Sequence, residues 1–280
     1  MASLDPTASA ASLNHAVPSA FVRLAPALYA ATLFVSALLL FAVQPMFTKM
    51  ILPRLGGAPA VWSVAMVFFQ VALLIGYAYA HLLARTLRPL PAAFVHLAVL
   101  ACASVTLPIG IASGFAEPPK NGVVLWLFCL IAASIGLPFA ALAASAPLLQ
   151  SWFGATGHPR ASNPYVLYAA SNLGSFAALL AYPFLAEPLL TLRAQSWIWS
   201  IGYAVLTILV AAAGLLAARG SRVEAAAAAL ASPAPTLADR LSWIMLAAIP
   251  AGLVIAVTAY VTTDVAAARF CGSCRWRSTS

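Results

Sequence analysis

The sequence predicts an all-α, polytopic transmembrane helix bundle of about seven spans. Three observations predict it. Long apolar runs, most near twenty residues, recur along the chain with almost no charge inside them. A hydrocarbon core of about 30 Å needs about 20 apolar helical residues to cross it. The chain of 280 residues is 64% hydrophobic and only 7% charged, against about 45–50% and about 25% in soluble domains. The runs are continuously apolar, whereas the strands of a membrane barrel alternate over about ten residues.

The elements follow in order. Residues 1–22 are small and polar and lack a basic stretch before an apolar core, so they read as a disordered N-terminal tail and not as a cleaved signal. The first span, about 24–43, reads LAPALYAATLFVSALLLFAV and is followed by Gln44, Pro45, Pro53 and the Gly56–Gly57 turn. The second covers about 59–81, and Pro89 and Pro91 separate it from the third at 92–112. Pro118 and Pro119 precede the fourth, 123–149, in which Pro138 and Pro147 should produce kinks. The fifth and sixth lie at 165–186 and 196–217. Residues 218–240, with EAAAAALASPAP and breaks at Pro233 and Pro235, form a low-complexity linker to the seventh at 241–261. The domain reading is thus a six-helix membrane domain over 23–217, the linker over 218–240, a seventh transmembrane helix within 241–268, and an atypical tail over 269–280.

The net charge of +8 reads as topology and not as an affinity for nucleic acid. The basic residues sit in short loops, with no basic stripe interleaved with aromatics. With a cytoplasmic N-terminus, Arg23, Arg85, Arg88, Arg160, Arg219, Arg222 and Arg240 lie inside, against Lys49, Arg54, Lys120 and Arg193 outside. That bias favours the N-inside orientation, and Lys49 with Arg54 is the pair that argues against it.

The tail RFCGSCRWRSTS breaks the pattern. Cys102 and Cys129 fall within apolar runs and read as small hydrophobes. Cys271 and Cys274 form a CxxC without further ligands, a weak redox or metal signal. A shifted reading frame through the codons of Cys271–Ser280 can spell Trp-Val-Leu-Pro-Leu-Ala-Leu-Tyr-Leu, an apolar segment, so a frameshift is the expected origin of the tail.

Catalytic chemistry is sparse. Six acidic residues and four histidines (His15, His81, His96, His158) show no HExxH, no Ser–His–Asp pattern and no phosphate loop. No catalytic, cofactor-binding or metal-ligating residue is assigned, and no cofactor is expected. Polar groups at membrane depth carry more weight, because an unpaired one costs several kcal/mol in hydrocarbon. These are Gln44, Gln70, Asn172, Glu187 and Asp264. Two readings apply to them: a polar cavity or substrate path, or hydrogen bonds between helices.

Three segments carry a resemblance: residues 33–83, LFVSALLLFAVQPMFTKMILPRLGGAPAVWSVAMVFFQVALLIGYAYAHLL, residues 163–188, NPYVLYAASNLGSFAALLAYPFLAEP, and residues 249–267, IPAGLVIAVTAYVTTDVAA. They resemble the membrane part of bacterial membrane-bound spermidine-synthase-like proteins. The resemblance implies a bacterial inner-membrane location and a soluble synthase-like domain after the helices, encoded downstream as the partner of this part. It assigns no catalytic residue here, since the glycine-rich cofactor loop and polyamine-binding carboxylates of that domain are not in this sequence. The implied function is that of a truncated membrane domain without aminopropyl transfer of its own. The other reading is a small-solute transporter, for a polyamine or a related cation, with the bilayer as its surroundings.

Overall fold

The computed structural model describes residues 19–55, 59–115, 117–156, 158, 161, 165–220 and 235–260. Among these the regular elements are all helical: α1 (Ser19–Leu55), α2 (Pro59–Thr86), α3 (Pro89–Ser104), α4 (Val123–Ile131), α5 (Leu137–Gly154), α6 (Tyr165–Ala181), α7 (Glu187–Leu189), α8 (Leu192–Gly220) and α9 (Leu237–Tyr260), with π-helical turns at Ala132–Gly136 and Tyr182–Ala186. Among the described residues, six helical stretches are long and apolar enough to cross a membrane. The chain divides into two units, Met1–Ala227 and Ala228–Ser280.

Several boundaries differ from the sequence expectation, each through proline chemistry. α1 does not stop at Gln44 but continues through Pro45 and Pro53 to Leu55. Prolines persist in membrane helices where side chains restore hydrogen bonds to the backbone. Pro45 frees the Phe41 carbonyl; beside it the Gln44 amide donates to the Leu40 carbonyl (3.3 Å) and the Thr48 hydroxyl to the Gln44 carbonyl (2.7 Å), which adds bonds to the neighbouring turns. In the fourth span the helix continues from Val123 to Gly154, and the π turn Ala132–Gly136 lies immediately before Pro138. A proline ring clashes with the carbonyl four residues back. The wider turn relieves that clash at Ser134, and π turns are a recognised cause of helix bending. A second π turn, Tyr182–Ala186, has Pro183 as its second residue.

The third span is the largest departure. α3 has 16 residues, about 24 Å at 1.5 Å per residue, short of the about 30 Å core. The residue before a proline is pushed out of the α region, and Leu107 precedes Pro108. The chain leaves the helix at Ser104 and runs on irregularly. This irregular backbone is held by neighbouring helices: Ser196 donates to the Ile109 carbonyl (2.6 Å), and the Ala112 amide donates to the Ser134 hydroxyl (2.9 Å). Ser134 in turn donates to the Leu130 carbonyl (2.7 Å). Of this stretch Ile109 is buried while Val105, Pro108 and Gly110 are exposed, so these hydrogen bonds, more than cover by protein, satisfy its backbone.

Helix directions in the first unit agree with a crossing at each element. Contacts pair Phe34 with Gly174 and Lys49 with Glu187, so α1 and α6 run parallel. Tyr29 meets Ala213, and Leu39 meets Trp199, so α1 and α8 run antiparallel. Leu100 meets Tyr203, and Ile109 meets Ser196, so the α3 stretch also runs antiparallel to α8. A serpentine chain gives these directions only if α3 and its irregular extension cross once.

Packing follows membrane logic. α5 is buried on every side over Ala141–Ser145, which makes it the central helix. α1 packs most extensively on α6, and then on α8 and α5. Lipid tails are as apolar as leucine, so small residues and hydrogen bonds supply the specificity. A Cβ on Gly174 would stand 2.3 Å from the Phe34 carbonyl oxygen, and one on Gly76 2.6 Å from that of Ala140. Three aromatic donors of α1 and α8 bond carbonyls of a facing helix: Tyr29 to Ala213 (2.8 Å), Trp199 to Leu39 (2.9 Å) and Tyr203 to Leu100 (3.1 Å). Outward faces carry Leu74, Leu125, Phe176 and Ile208.

In the second unit, α9 starts at Leu237, ahead of the expected 241. Thr236 and Asp239 explain the start. The Thr236 amide (2.9 Å) and hydroxyl (2.7 Å) donate to the Asp239 carboxylate, while the Asp239 amide donates back to the Thr236 hydroxyl (3.2 Å). This is a capping box, which satisfies otherwise orphaned amides at a helix start. Asp264 and the Cys271–Cys274 pair lie outside the described residues.

Candidate functional site

The charged residues at the end of α1 and the start of α7 form the clearest polar feature of the first unit. Lys49 stands one turn beyond the apolar run of α1, and Glu187 opens α7 directly after the π turn. Because α1 and α6 run parallel, both arrive at the same end of the bundle. There the Lys49 ammonium and the Glu187 carboxylate form an ion pair, with the side chains 40% and 44% exposed. The pair edges a groove of about 360 Å³ whose walls include Pro45, Leu52, Trp62, Leu179 and Tyr182. Trp62 is exposed, and Trp197 is exposed at the start of α8. Exposed tryptophans belong at the headgroup level, which sets this end at a membrane interface.

Tyr182 also lines a second groove. On its other side an apolar hollow of about 220 Å³ runs between α1 and α8, walled by Val35, Leu38, Met46, Ile198 and Gly202, with Gln195 and Tyr182 as its polar members. Tyr182 is 8% exposed and Gln195 6%. The Gln195 amide nitrogen donates to the carbonyls of Ala186 (3.1 Å) and Leu190 (3.0 Å), closing the α7–α8 corner. Its amide oxygen and the Tyr182 hydroxyl have no partner among the described residues.

The other sequence candidates go elsewhere. Gln44 is half-buried and spends its amide on its own helix. Gln70 is exposed on α2, and Asn172 is exposed on α6. Neither lines the Lys49–Glu187 groove. Of the four candidates among the described residues, Glu187 alone borders that groove. Sequence reasoning missed Lys49, Tyr182 and Gln195 as its companions. A signal was present for Lys49: a cation on the side disfavoured by the charge bias, with one of the few acids at a span end.

A second polar cluster is internal. His96 is fully buried, and its Nε2 meets the Ser145 hydroxyl at 3.1 Å. The Ser145 hydroxyl is also within reach of the Ala141 carbonyl (3.2 Å); when it donates there, Nε2 carries the imidazole proton and Nδ1 is an acceptor. Tyr79 and Trp152 flank the imidazole with ring centroids at 6.0 and 6.4 Å. The Tyr79 hydroxyl, the Trp152 indole nitrogen and His96 Nδ1 have no partner among the described residues. Also among the described residues, no group of histidines, cysteines and carboxylates is placed to hold a metal ion.

Two further features bear on chemistry. The irregular stretch after α3 contributes Pro108, Ile109 and Gly110 to a hollow of about 520 Å³ that Met50, Arg193 and Ser196 also line. The π turn Tyr182–Ala186 borders both grooves, and π turns gather at functional sites. Searches against protein-family models, curated proteins and solved structures gave no match to this chain.

Proposed function

We propose that this chain is the membrane domain of a spermidine-synthase-like membrane protein, set in a bacterial inner membrane with a cytoplasmic N-terminus, and that its task is to hold a catalytic domain at the bilayer. One observation supports the reading best. Two of the three segments that carry the resemblance, 33–83 and 163–188, pack on each other as the α1–α6 seam, through Gly174 at Phe34 and Glu187 at Lys49. Residues that make a family's motif distinctive are then residues that build its scaffold. The test is to read the gene through codon 260 and onward. The expected result is a frame that continues through an apolar segment into a glycine-rich, synthase-like domain. A confirmed tail with no such domain downstream would overturn the proposal.

A second reading, transport of a small cationic solute, draws support from the broken backbone. Transporter sites collect unwound backbone at cavities, and the 108–110 stretch lines a hollow of about 520 Å³. Glu187 serves such a cation only by releasing Lys49. Uptake of labelled putrescine or spermidine into proteoliposomes tests it, and absence of flux by folded protein would end it.

A further inference from the structure

We infer that the two neighbouring grooves lined by Tyr182 are a binding site for one phospholipid with a primary-ammonium headgroup. The inference rests on the membrane embedding and is independent of the proposed family. The charge pattern comes first. A headgroup with adjacent phosphate and ammonium is a zwitterion, and Lys49 with Glu187 presents the complementary zwitterion at a membrane interface. Lys49 meets the phosphate and Glu187 meets the ammonium, so four charges alternate without adding net charge. Hydrogen bonds between ionised groups are about twice as strong as neutral ones. A choline headgroup has no N–H to give Glu187. An anionic headgroup without a cation offers Lys49 a phosphate but brings Glu187 no ammonium, so it makes only half of these contacts.

Shape is the second argument. Val35, Leu38, Ala42 and Met46 recur on one face of α1 and line the apolar hollow, and that face continues to Lys49 in the charged groove. From Val35 to Lys49 this stripe is about 21 Å long at 1.5 Å per residue. One leaflet's hydrocarbon is about 15 Å deep, half of the about 30 Å core. An acyl chain fits along α1 while its headgroup lies at the ion pair.

Third, the junction between headgroup and chain carries esters, which accept hydrogen bonds. Tyr182 lines both grooves, is more than nine-tenths buried, and its hydroxyl has no partner among the described residues. An unmade hydrogen bond at a buried hydroxyl is costly in hydrocarbon, and an ester carbonyl at this level accepts it.

The experiment uses the full chain reconstituted in bilayers of equal dioleoyl phosphatidylethanolamine, phosphatidylcholine and phosphatidylglycerol, then gently extracted, with retained lipid identified by mass spectrometry. The expected result is selective retention of phosphatidylethanolamine. Tyr182→Phe, which removes a single oxygen, should weaken retention roughly tenfold, the scale of one hydrogen bond in a dry site. Lys49→Glu combined with Glu187→Lys restores the ion pair, so the protein should fold as before, yet the headgroup charges are then met in reverse order and the preference should disappear. The proposal is overturned by equal retention of the three lipids, by preference for phosphatidylglycerol, or by a phosphatidylethanolamine preference that survives both variants.

Discussion

At the scale of single residues, the same change at two glycines should have opposite effects. Gly174 faces the Phe34 backbone, where an added Cβ would stand 2.3 Å from a carbonyl oxygen that cannot rotate away. Overpacking of this kind costs about 1–3 kcal/mol, more than the about 1 kcal/mol that alanine gains over glycine in a helix. A Cβ added at Gly154 would have no atom within 4 Å, so only the helix gain remains. Gly174→Ala should therefore lower unfolding stability in mixed micelles, and Gly154→Ala should leave it equal or raise it. A matching loss at both sites would refute the close α1–α6 approach. Polar residues tell a related story about legibility. Gln44, Gln70, Asn172 and Glu187 are visible in the sequence because they interrupt apolar runs, but composition does not fix which way a helix turns them. Gln44 turns to its own Leu40 carbonyl, Gln70 and Asn172 are exposed, and Glu187 meets Lys49. Tyr182 and Gln195 gave no signal at all, since tyrosine and glutamine near a span end are ordinary interfacial residues.

At the scale of elements, the irregular chain after α3 depends on two serine hydroxyls. Ser196 supplies the donor for the Ile109 carbonyl, and Ser134 the acceptor for the Ala112 amide. Removing either leaves a backbone group unpaired, a cost of about 1–3 kcal/mol when buried. Ser134→Ala and Ser196→Ala should each speed amide hydrogen exchange over residues 105–115 while α1 and α5 keep their protection. Unchanged exchange there would mean that the segment is held by other contacts. The spans themselves were readable because twenty apolar residues have few alternatives in a bilayer. Their ends were less readable, because proline, which ends helices in water, does not end them here. In α1, Pro45 and Pro53 lie inside the helix, in the fourth span a π turn contains the Ser134 carbonyl that Pro138 opposes, and in the fifth Pro183 lies within a π turn. Water would end a helix at such places by offering partners to the freed carbonyls. Hydrocarbon offers none, so the helix continues and its own side chains or a wider turn take up the strain. The reverse holds after Ser104, where Ser134 and Ser196 supply the partners and the helix stops.

At the scale of the whole molecule, helix order in space was not legible, because the pairing of α1 with α6 joins residues about 140 apart and rests on small residues rather than on any periodic signal. The gap is the difference between the paired numbers, Phe34 with Gly174 and Lys49 with Glu187. Once known, that parallel pairing carries a topological consequence. Between α1 and α6 the chain must reverse an even number of times, and it does so only if the third stretch, with its 16-residue helix and irregular extension, crosses the bilayer. Arg88 before α3 and Lys120 after it must then face opposite compartments. In a cysteine-free background, Arg88→Cys and Lys120→Cys in intact cells should react differently with a membrane-impermeant maleimide. With the N-terminus inside, Lys120→Cys is labelled and Arg88→Cys is labelled only after the membrane is opened. The inverse pattern would keep the crossing and reverse the orientation, so that Lys49, Arg54, Lys120 and Arg193 face the cytoplasm. Labelling of both positions from one side would remove the crossing, and with it the parallel α1–α6 seam that brings Lys49 to Glu187.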